Sequence, residues 1–384
     1  MKVVDELLKK PGAWMKVGAP PGVMVSSRVR LARNLEGVAF PGWAGEEESL
    51  RLWQALRPIL EALPGCAASV ALEMEGLSRV DKEILIERHL ISRDLAQKRR
   101  GSGLVFKDDE TVVIMVNEED HIRMQAMSPG LNLRGLWRTI DGIDTDLERQ
   151  VRYAFSPRLG YLTACPTNVG TGIRASVMLH LPGLVLMNEI NPIIKGVNKI
   201  GLAVRGLWGE GTDAAGNMFQ ISNQATLGET EDTIISRLEQ IVLEVEEHEK
   251  HAKERLLQQK AISLRDHVGR AYGILTHACL LNSKETLDML SALRLGIELD
   301  LLREWSASMI DELFLLIQPG HLQKVEGKII GAEKRDLARA RLIHARLTGK
   351  HVEREEQAGR QTPDDRHRRK DGRRQKTDNG TSGF

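Results

Sequence analysis

The stretch TVVIMVNEEDHIR, from Thr111 to Arg123, passes from an unbroken apolar run into three consecutive carboxylates, a histidine and an arginine. A short apolar run rich in β-branched residues and closed by polar residues reads as a strand. GLVLMNEI from Gly183 and IGLAVRG from Ile200 read the same way. No regular alternation of strand and helix links these runs, so a parallel sheet is not expected. The fold class expected from about Val23 to Glu249 is therefore α+β, a largely antiparallel sheet flanked by helices.

At the end of the first strand, Glu118, Glu119, Asp120 and His121 can bind a metal, cap a helix or hold a cationic substrate. Metal fits least well. Consecutive acids point in different directions, and no HExxH or EF-hand spacing accompanies them. Upstream, Ser26-Ser27-Arg28-Val29-Arg30 would place both guanidinium groups on one face of an extended strand, an arrangement suited to a polyphosphate. Downstream come CPTNVGTGIRASV from Cys165 to Val177 and RGLWGEGTD from Arg205 to Asp213. Both combine turn residues with single charged or nucleophilic side chains, which suits either a site or a plain surface turn.

Further along, Thr230, Glu231 and Asp232 mark a helix start, and Ile234, Leu238, Ile241, Val242 and Val245 recur at helical spacing. After a polar stretch from His251 to Lys260 the pattern is helical through Gly349, punctuated at Asn282-Ser283 and Pro319-Gly320. From Arg360 to Gly383 there is no aliphatic or aromatic residue, and eight Lys/Arg against four Asp leave a net +4. Such a segment cannot bury a core and is expected to be disordered. The expected division is a catalytic domain over 1–255, an all-α domain over 256–350 and a basic tail over 351–384.

The 384 residues are 41% hydrophobic, enough for two cores, and 54 Lys/Arg nearly balance 53 Asp/Glu. No whole-chain charge points to nucleic acid or membrane, and the tail lacks the interleaved aromatics of a nucleic-acid tether. No signal-like leader or apolar span is visible, so a cytoplasmic location is expected. Cys66, Cys165 and Cys279 are too few and too scattered for a disulfide framework or zinc knuckle, and each is by default a buried apolar residue.

Taken together and in order, SSRVR, NEEDHIR, CPTNVGTGIRASV and RGLWGE closely resemble the catalytic domain of the phosphagen (guanidino) kinases, and among these most nearly the bacterial protein arginine kinases. The resemblance implies ATP as phosphoryl donor, with Mg²⁺ held mostly by phosphates and water, so no protein metal ligand is assigned. It implies ATP-binding roles for Ser26, Ser27, Arg28, Val29 and Arg30, for His89 and for Arg123. The same holds for Arg174, Ala175, Ser176, Val177 and Met178, and for Arg205, Gly206, Leu207, Trp208, Gly209 and Glu210. Arg28, Arg30, Arg123, Arg174 and Arg205 match the phosphate clamp, and Glu119 and Glu210 the two carboxylates that hold the guanidinium. Cys165 matches the reactive cysteine, either a thiolate that orients the guanidinium or a spectator. Trp208 departs from the usual pattern, where a smaller residue or tyrosine is commoner.

The chemistry agrees with these roles. A guanidinium of pKa above about 12 gives up a proton at neutral pH at a cost of roughly 7 kcal/mol, so a carboxylate must accept it as the bond to phosphorus forms. The arginines neutralise phosphate charge, a task other kinases give to a lysine and backbone amides. No Walker GxxxxGK[ST] is present.

Small-guanidine enzymes carry a helical domain before the Ser-x-Arg-x-Arg motif that partly covers the substrate, whereas here the motif begins at Ser26. An uncovered site favours an arginine still attached to a polypeptide. In the helical region, Arg335-Asp336-Leu337-Ala338-Arg339-Ala340 is similar to the RDxxRA motif of protein arginine kinases, which implies an allosteric phosphoarginine site. On a helix Arg335 and Arg339 share a face with Asp336 adjacent, and the alternative is an ordinary salt-bridged surface. The same resemblance implies a homodimer, a zinc-binding activator protein, a Clp ATPase that degrades marked clients, and a heat-shock repressor. The competing functions are a small-guanidine phosphagen kinase and a non-catalytic phosphoarginine-binding adaptor.

Overall fold

A computed structural model describes residues 2–12, 15, 22–206 and 214–349. Its centre is an eight-stranded sheet formed by β1 (Met24–Arg33), β2 (Ser69–Glu73), β3 (Gly103–Lys107), β4 (Val112–Val116), β5 (Ile122–Pro129), β8 (Ile173–His180), β9 (Leu202–Gly206) and β10 (Met218–Asn223). The short strands β6 (Phe155–Ser156) and β7 (Gly160–Tyr161) form a separate hairpin. The sheet order is β2-β3-β4-β5-β1-β8-β10-β9, and every pairing is antiparallel.

Around the sheet lie α1 (Lys2–Leu7), α2 (Glu46–Ala62), α3 (Arg79–Glu87), α4 (Arg93–Gln97), α5 (Leu133–Glu148), α6 (Pro182–Leu186), α7 (Ile190–Lys199) and α8 (Glu231–Gln259). One sheet face is the main core. Val29, Leu31, Met124, Ala126, Ala175 and Val177 pack there against the apolar stripes of α2, α5 and α8. Side chains alternate along a strand, so the residues between these face the other way and are free to carry charge.

Two readings of the sequence are corrected. GLVLMNEI is not a strand: Gly183 to Leu186 belongs to α6, with Pro182 at its first position and the buried Glu249 carboxylate accepting from the N–H groups of Gly183 and Leu184 at 2.8 and 2.9 Å. A short apolar run buried on all sides has no periodicity to separate helix from strand, and the cap comes from a residue 66 positions away. Likewise the polar stretch from His251 is not a break. Thr230 caps α8 as expected, but the helix runs on to Gln259 and turns at Lys260.

The rest is helical: α9 (Ala261–His277), α10 (Ser283–Glu298), α11 (Ala307–Leu316), α12 (Pro319–Val325) and α13 (Ala332–Thr348). Asn282 caps α10 and Pro319 opens α12, as their punctuation suggested. Leu290, Leu293, Ile310, Leu313 and Ile343 form a second core that also takes in Met178 and Met218 from the sheet. Of the cysteines Cys66 is buried, Cys165 half-buried and Cys279 exposed, so the apolar default fails for Cys279. No helix among the described residues is long and apolar enough to cross a membrane. The basic segment 351–384 lies outside the described residues.

Candidate active site

The strand register assembles the arginines. Arg28 of β1 lies opposite Ser176 and Met127, and Arg30 opposite Arg174 and Gln125. Arg123 lies opposite Ala32, and Arg205 opposite Gln220, itself paired with Met178. Directly opposed residues share a face, so Arg28, Arg30, Arg123, Arg174 and Arg205 all project from the side of the sheet away from the main core. Arg28 donates from Nη2 to Gln220 Oε1 at 2.8 Å. Among the described residues, Arg123 alone of the five is paired with carboxylates.

Clustered cations perturb each other. Burial, then the charges of Arg174 and Arg123, pull Arg28 down to about 10. Burial and three neighbouring arginines hold Arg30 well below its ordinary value, and burial with Arg205 and Arg123 lowers Arg174. The Nε atoms of Arg30 and Arg174 are buried without a hydrogen-bond partner among the described residues. A folded protein tolerates such charge where an anion completes the site. The arrangement therefore fits a polyphosphate. Beside it, His89 has a left-handed backbone, with φ 59°, and its carbonyl accepts from Gln125 Nε2 at 2.7 Å. Burial and the nearby Arg28 and Arg30 push its imidazole down to about 3, so the ring is neutral at pH 7.

The three consecutive acids have separate fates. Asn117 takes a left-handed conformation, φ 57°, and anchors the turn through Nδ2 to Gly101 O at 2.6 Å and Ser49 O at 2.9 Å. Glu118 is buried and binds Arg123 Nη1 at 2.6 Å. Glu119, whose side chain is 41% exposed, uses one oxygen to accept from Arg123 Nη2 at 2.8 Å. Burial raises its pKa above the usual range, against the pull of Arg123. Asp120 is fully buried and accepts from Asn34 Nδ2 at 2.6 Å and from the Ala164 N–H at 2.7 Å. It thus ties the strand end to the loop bearing Cys165. No helix begins at this turn, and no group of three or more His, Cys, Asp or Glu among the described residues can hold a metal ion.

Cys165 Sγ lies 3.0 Å from Thr167 Oγ1, and the two line a polar cleft with Arg30, Glu119, Arg174 and Arg205. An apolar cleft adjoins it along the same face of β1, lined by Ser26, Arg28, His89, Ser176, Met178 and Gln220 among others. A third hollow, bounded by Phe40, Trp43, Lys98, Glu118 and Glu119, opens at the carboxylate end. The buried Ser27, Val29, Ala175 and Val177 face away from these clefts. Ser27 donates to Gly130 O at 2.7 Å, and the other three support the strands from the main core. Gly206 ends β9. Leu207, Trp208, Gly209 and Glu210 lie outside the described residues.

Sequence reasoning missed Gln220, Asn34 and Thr167. Gln220 has no local signal, because only the pairing of β10 with β8 and β9 brings it to Arg28. Asn34 directly follows β1, and its importance shows only in its contact with Asp120.

On α13 the two arginines of RDLARA are not equivalent. Arg339 is 2% exposed and donates to Ile317 O at 3.0 Å, Leu281 O at 2.6 Å and Asp336 Oδ1 at 2.6 Å. Arg335 is half-buried and donates to Ile330 O at 2.9 Å, and Asp336 and Leu337 are also half-buried. Ala338 and Ala340 are buried.

Residues 56–252 match a family profile described as the C-terminal catalytic domain of ATP:guanido phosphotransferases, and residues 261–359 one described as the protein-arginine kinase McsB C-terminal domain. A protein-arginine kinase of Halothermothrix orenii is 43% identical over 350 residues, covering 90% of this chain and 99% of that one. The protein-arginine kinase of Bacillus subtilis is 43% identical over 338 residues, 87% of this chain and 93% of its own. Among solved structures, the substrate-free duplicated taurocyamine kinase of Schistosoma mansoni superposes with a TM-score of 0.54 at 29% identity, covering 61% of this chain and 34% of that one. A lombricine kinase does so with a TM-score of 0.52 at 25% identity, covering 64% and 75%.

Proposed function

The chain belongs to the ATP:guanido phosphotransferases, in their protein-arginine kinase branch, and from that membership we propose that it transfers the γ-phosphate of ATP to arginine guanidinium groups of other proteins. The observation that carries the proposal is the single sheet face that bears Arg28, Arg30, Arg174 and Arg205, four arginines without carboxylate partners among the described residues, three of which line one cleft with Glu119 and Cys165. When bound, ATP with its Mg²⁺ supplies the phosphoryl group.

Arg28, Arg30, Arg174 and Arg205 bind the phosphates and offset the charge that builds on the transferring group. Arg123, held by Glu118 and Glu119, contributes its charge and fixes Glu119. The second oxygen of Glu119 faces the acceptor, aligns the planar guanidinium and takes its proton. Burial suits it to this role, since a raised pKa makes a carboxylate a better proton acceptor. Glu210 is the proposed second carboxylate, and Cys165 the neighbour that orients the guanidinium. Asp120 holds the Cys165 loop in register with Glu119.

A protein acceptor is favoured by the open hollow beside Glu119 and by Trp43 on its rim, 90% exposed. An exposed tryptophan at the acceptor end offers apolar contact to residues flanking an arginine in an unfolded segment. The test is incubation with ATP and Mg²⁺ and either free arginine or an unfolded protein, followed by mass spectrometry for acid-labile phosphate. Label on protein arginines is expected. Label on free arginine alone would make the chain a small-guanidine kinase, and no label at all an adaptor.

The reading extends to regulation. Arg335 and Asp336 would grip the phosphate and guanidinium of a phosphoarginine product, with Arg339 bracing the helix and Asp336 rather than contacting the ligand. A homodimer, a zinc-binding activator, a Clp ATPase for marked clients and a heat-shock repressor complete the proposal. Their support is family resemblance, and affinity capture from cells of the source organism tests them.

A further inference from the structure

The apolar cleft beside the arginines has a wall that the catalytic sheet does not provide. Besides Met127, Met178 and Met218 it is lined by Asp311 and Phe314 of α11, from the helical region. Arg28 and His89 border the same cleft, so it continues directly from the phosphate-binding face. On the reading that the phosphates of ATP lie along that face, this cleft receives the nucleoside.

Asp311 is held rigidly. It is 3% exposed, and its Oδ1 accepts from Arg294 Nε at 2.7 Å. Arg294 is itself buried, paired with Glu298, and lies with Nη1 2.9 Å from His180 Nδ1, at the end of β8. Burial pushes His180 down to about 4, so the ring is neutral and Nδ1 accepts from Arg294 while Nε2 donates to Ser291 Oγ at 2.8 Å. A second link comes from the turn before β10. There the Gly216 N–H donates to Asp288 Oδ1 at 2.8 Å, and Asn217 Nδ2 to Ser291 Oγ at 2.8 Å. Gly216 has φ 66°, and a Cβ there would stand 2.8 Å from the Phe314 ring, so the glycine permits the close seat of that ring. The second oxygen of Asp311 accepts no hydrogen bond among the described residues.

We propose that α11 completes the base pocket, with Phe314 and the methionines sandwiching the purine and Asp311 accepting a hydrogen bond from the exocyclic amine of adenine. Methionine and phenylalanine provide adaptable and flat apolar surfaces for a ring, and a buried carboxylate is an acceptor only. An amine at position 6 satisfies it, and a base without that donor leaves it unpaired. Selection of ATP thus depends on the helical region, and the same contact links nucleotide binding to that region.

The test is equilibrium binding without any acceptor, so its outcome is independent of whether the phosphoryl group goes to proteins. Purine riboside triphosphate, which lacks only the 6-amino group, should bind the unmodified protein about 10- to 100-fold more weakly than ATP. Asp311→Leu should close that gap by weakening ATP alone, and Asp311→Asn, which keeps the shape and one acceptor, should narrow it. Equal affinity of the two nucleotides for the unmodified protein overturns the proposal. So does a gap that persists in a folded Asp311→Leu protein, or a loss shared equally by both nucleotides, which would mark Asp311 as structural.

Discussion

Replacing Arg30 with methionine should move stability and ligand binding in opposite directions. Arg30 sits among Arg28, Arg123 and Arg174, and its Nε is buried without a partner among the described residues. A buried unsatisfied donor costs about 1 to 3 kcal/mol, and like charges add to that cost. Methionine keeps most of the apolar stem and removes both penalties, so the unliganded protein should gain stability of that order. The arginine is retained, on this reasoning, for the nucleotide. ATP at a hundredfold excess over its dissociation constant stabilises a protein by about 2.7 kcal/mol, and the variant should lose most of this. Chemical unfolding with and without ATP measures both effects on the same two proteins. An Arg30→Met protein less stable than the parent without ligand, or one that ATP still stabilises fully, would refute the account of the cluster.

Further outcomes are expected at three places: Glu119, α13 and Trp43. Glu119→Gln should lower turnover by about 10²- to 10⁴-fold while leaving ATP affinity intact. In the unmodified enzyme, because burial raises this carboxylate and the ionised form is the acceptor, kcat/KM should fall with decreasing pH, with a midpoint above the ordinary 4.5. A midpoint at or below that value in a pH–rate profile would remove Glu119 as the base. On α13, Arg339→Ala should lower stability by about 3 to 5 kcal/mol in chemical unfolding, since it strips three acceptors of a buried donor. Asp336→Ala should instead leave basal activity and abolish stimulation by added phosphoarginine, and equal stimulation in the variant would return the helix to a structural role. Trp43→Ala should raise KM for an unfolded protein substrate several-fold without changing KM for ATP, and steady-state kinetics with each substrate varied in turn checks this.

Much of the arginine-bearing face was legible because its signals are local. Arg28 and Arg30 are two apart, and an extended chain has period two, so their shared direction follows from the sequence once the strand is granted. The cap at Thr230 and the stripe that follows it are equally local, since both depend on residues within a few turns. What fails is any property set by a distant partner. GLVLMNEI carries no period of its own, and its helix is fixed by Glu249.

The three acids illustrate the same limit. The sequence established that Glu118, Glu119 and Asp120 end a strand, but which of them meets substrate depends on partners elsewhere in the chain. Arg123 neutralises Glu118, and Asn34 with the Ala164 N–H claims Asp120, which leaves Glu119 half-exposed in the cleft. Arg335 and Arg339 look interchangeable on a helical face, yet the carbonyls of Leu281 and Ile317 bury one and not the other. The sequence by itself therefore determined the chemistry available: five guanidinium groups, two carboxylates and a thiol in the order of a guanidino kinase. Only the tertiary structure decided which charges are spent on one another, because desolvation and pairing are set by what the fold packs around a group. By the same route it brought Asp311 and Phe314 from the helical region to the apolar cleft beside the arginines.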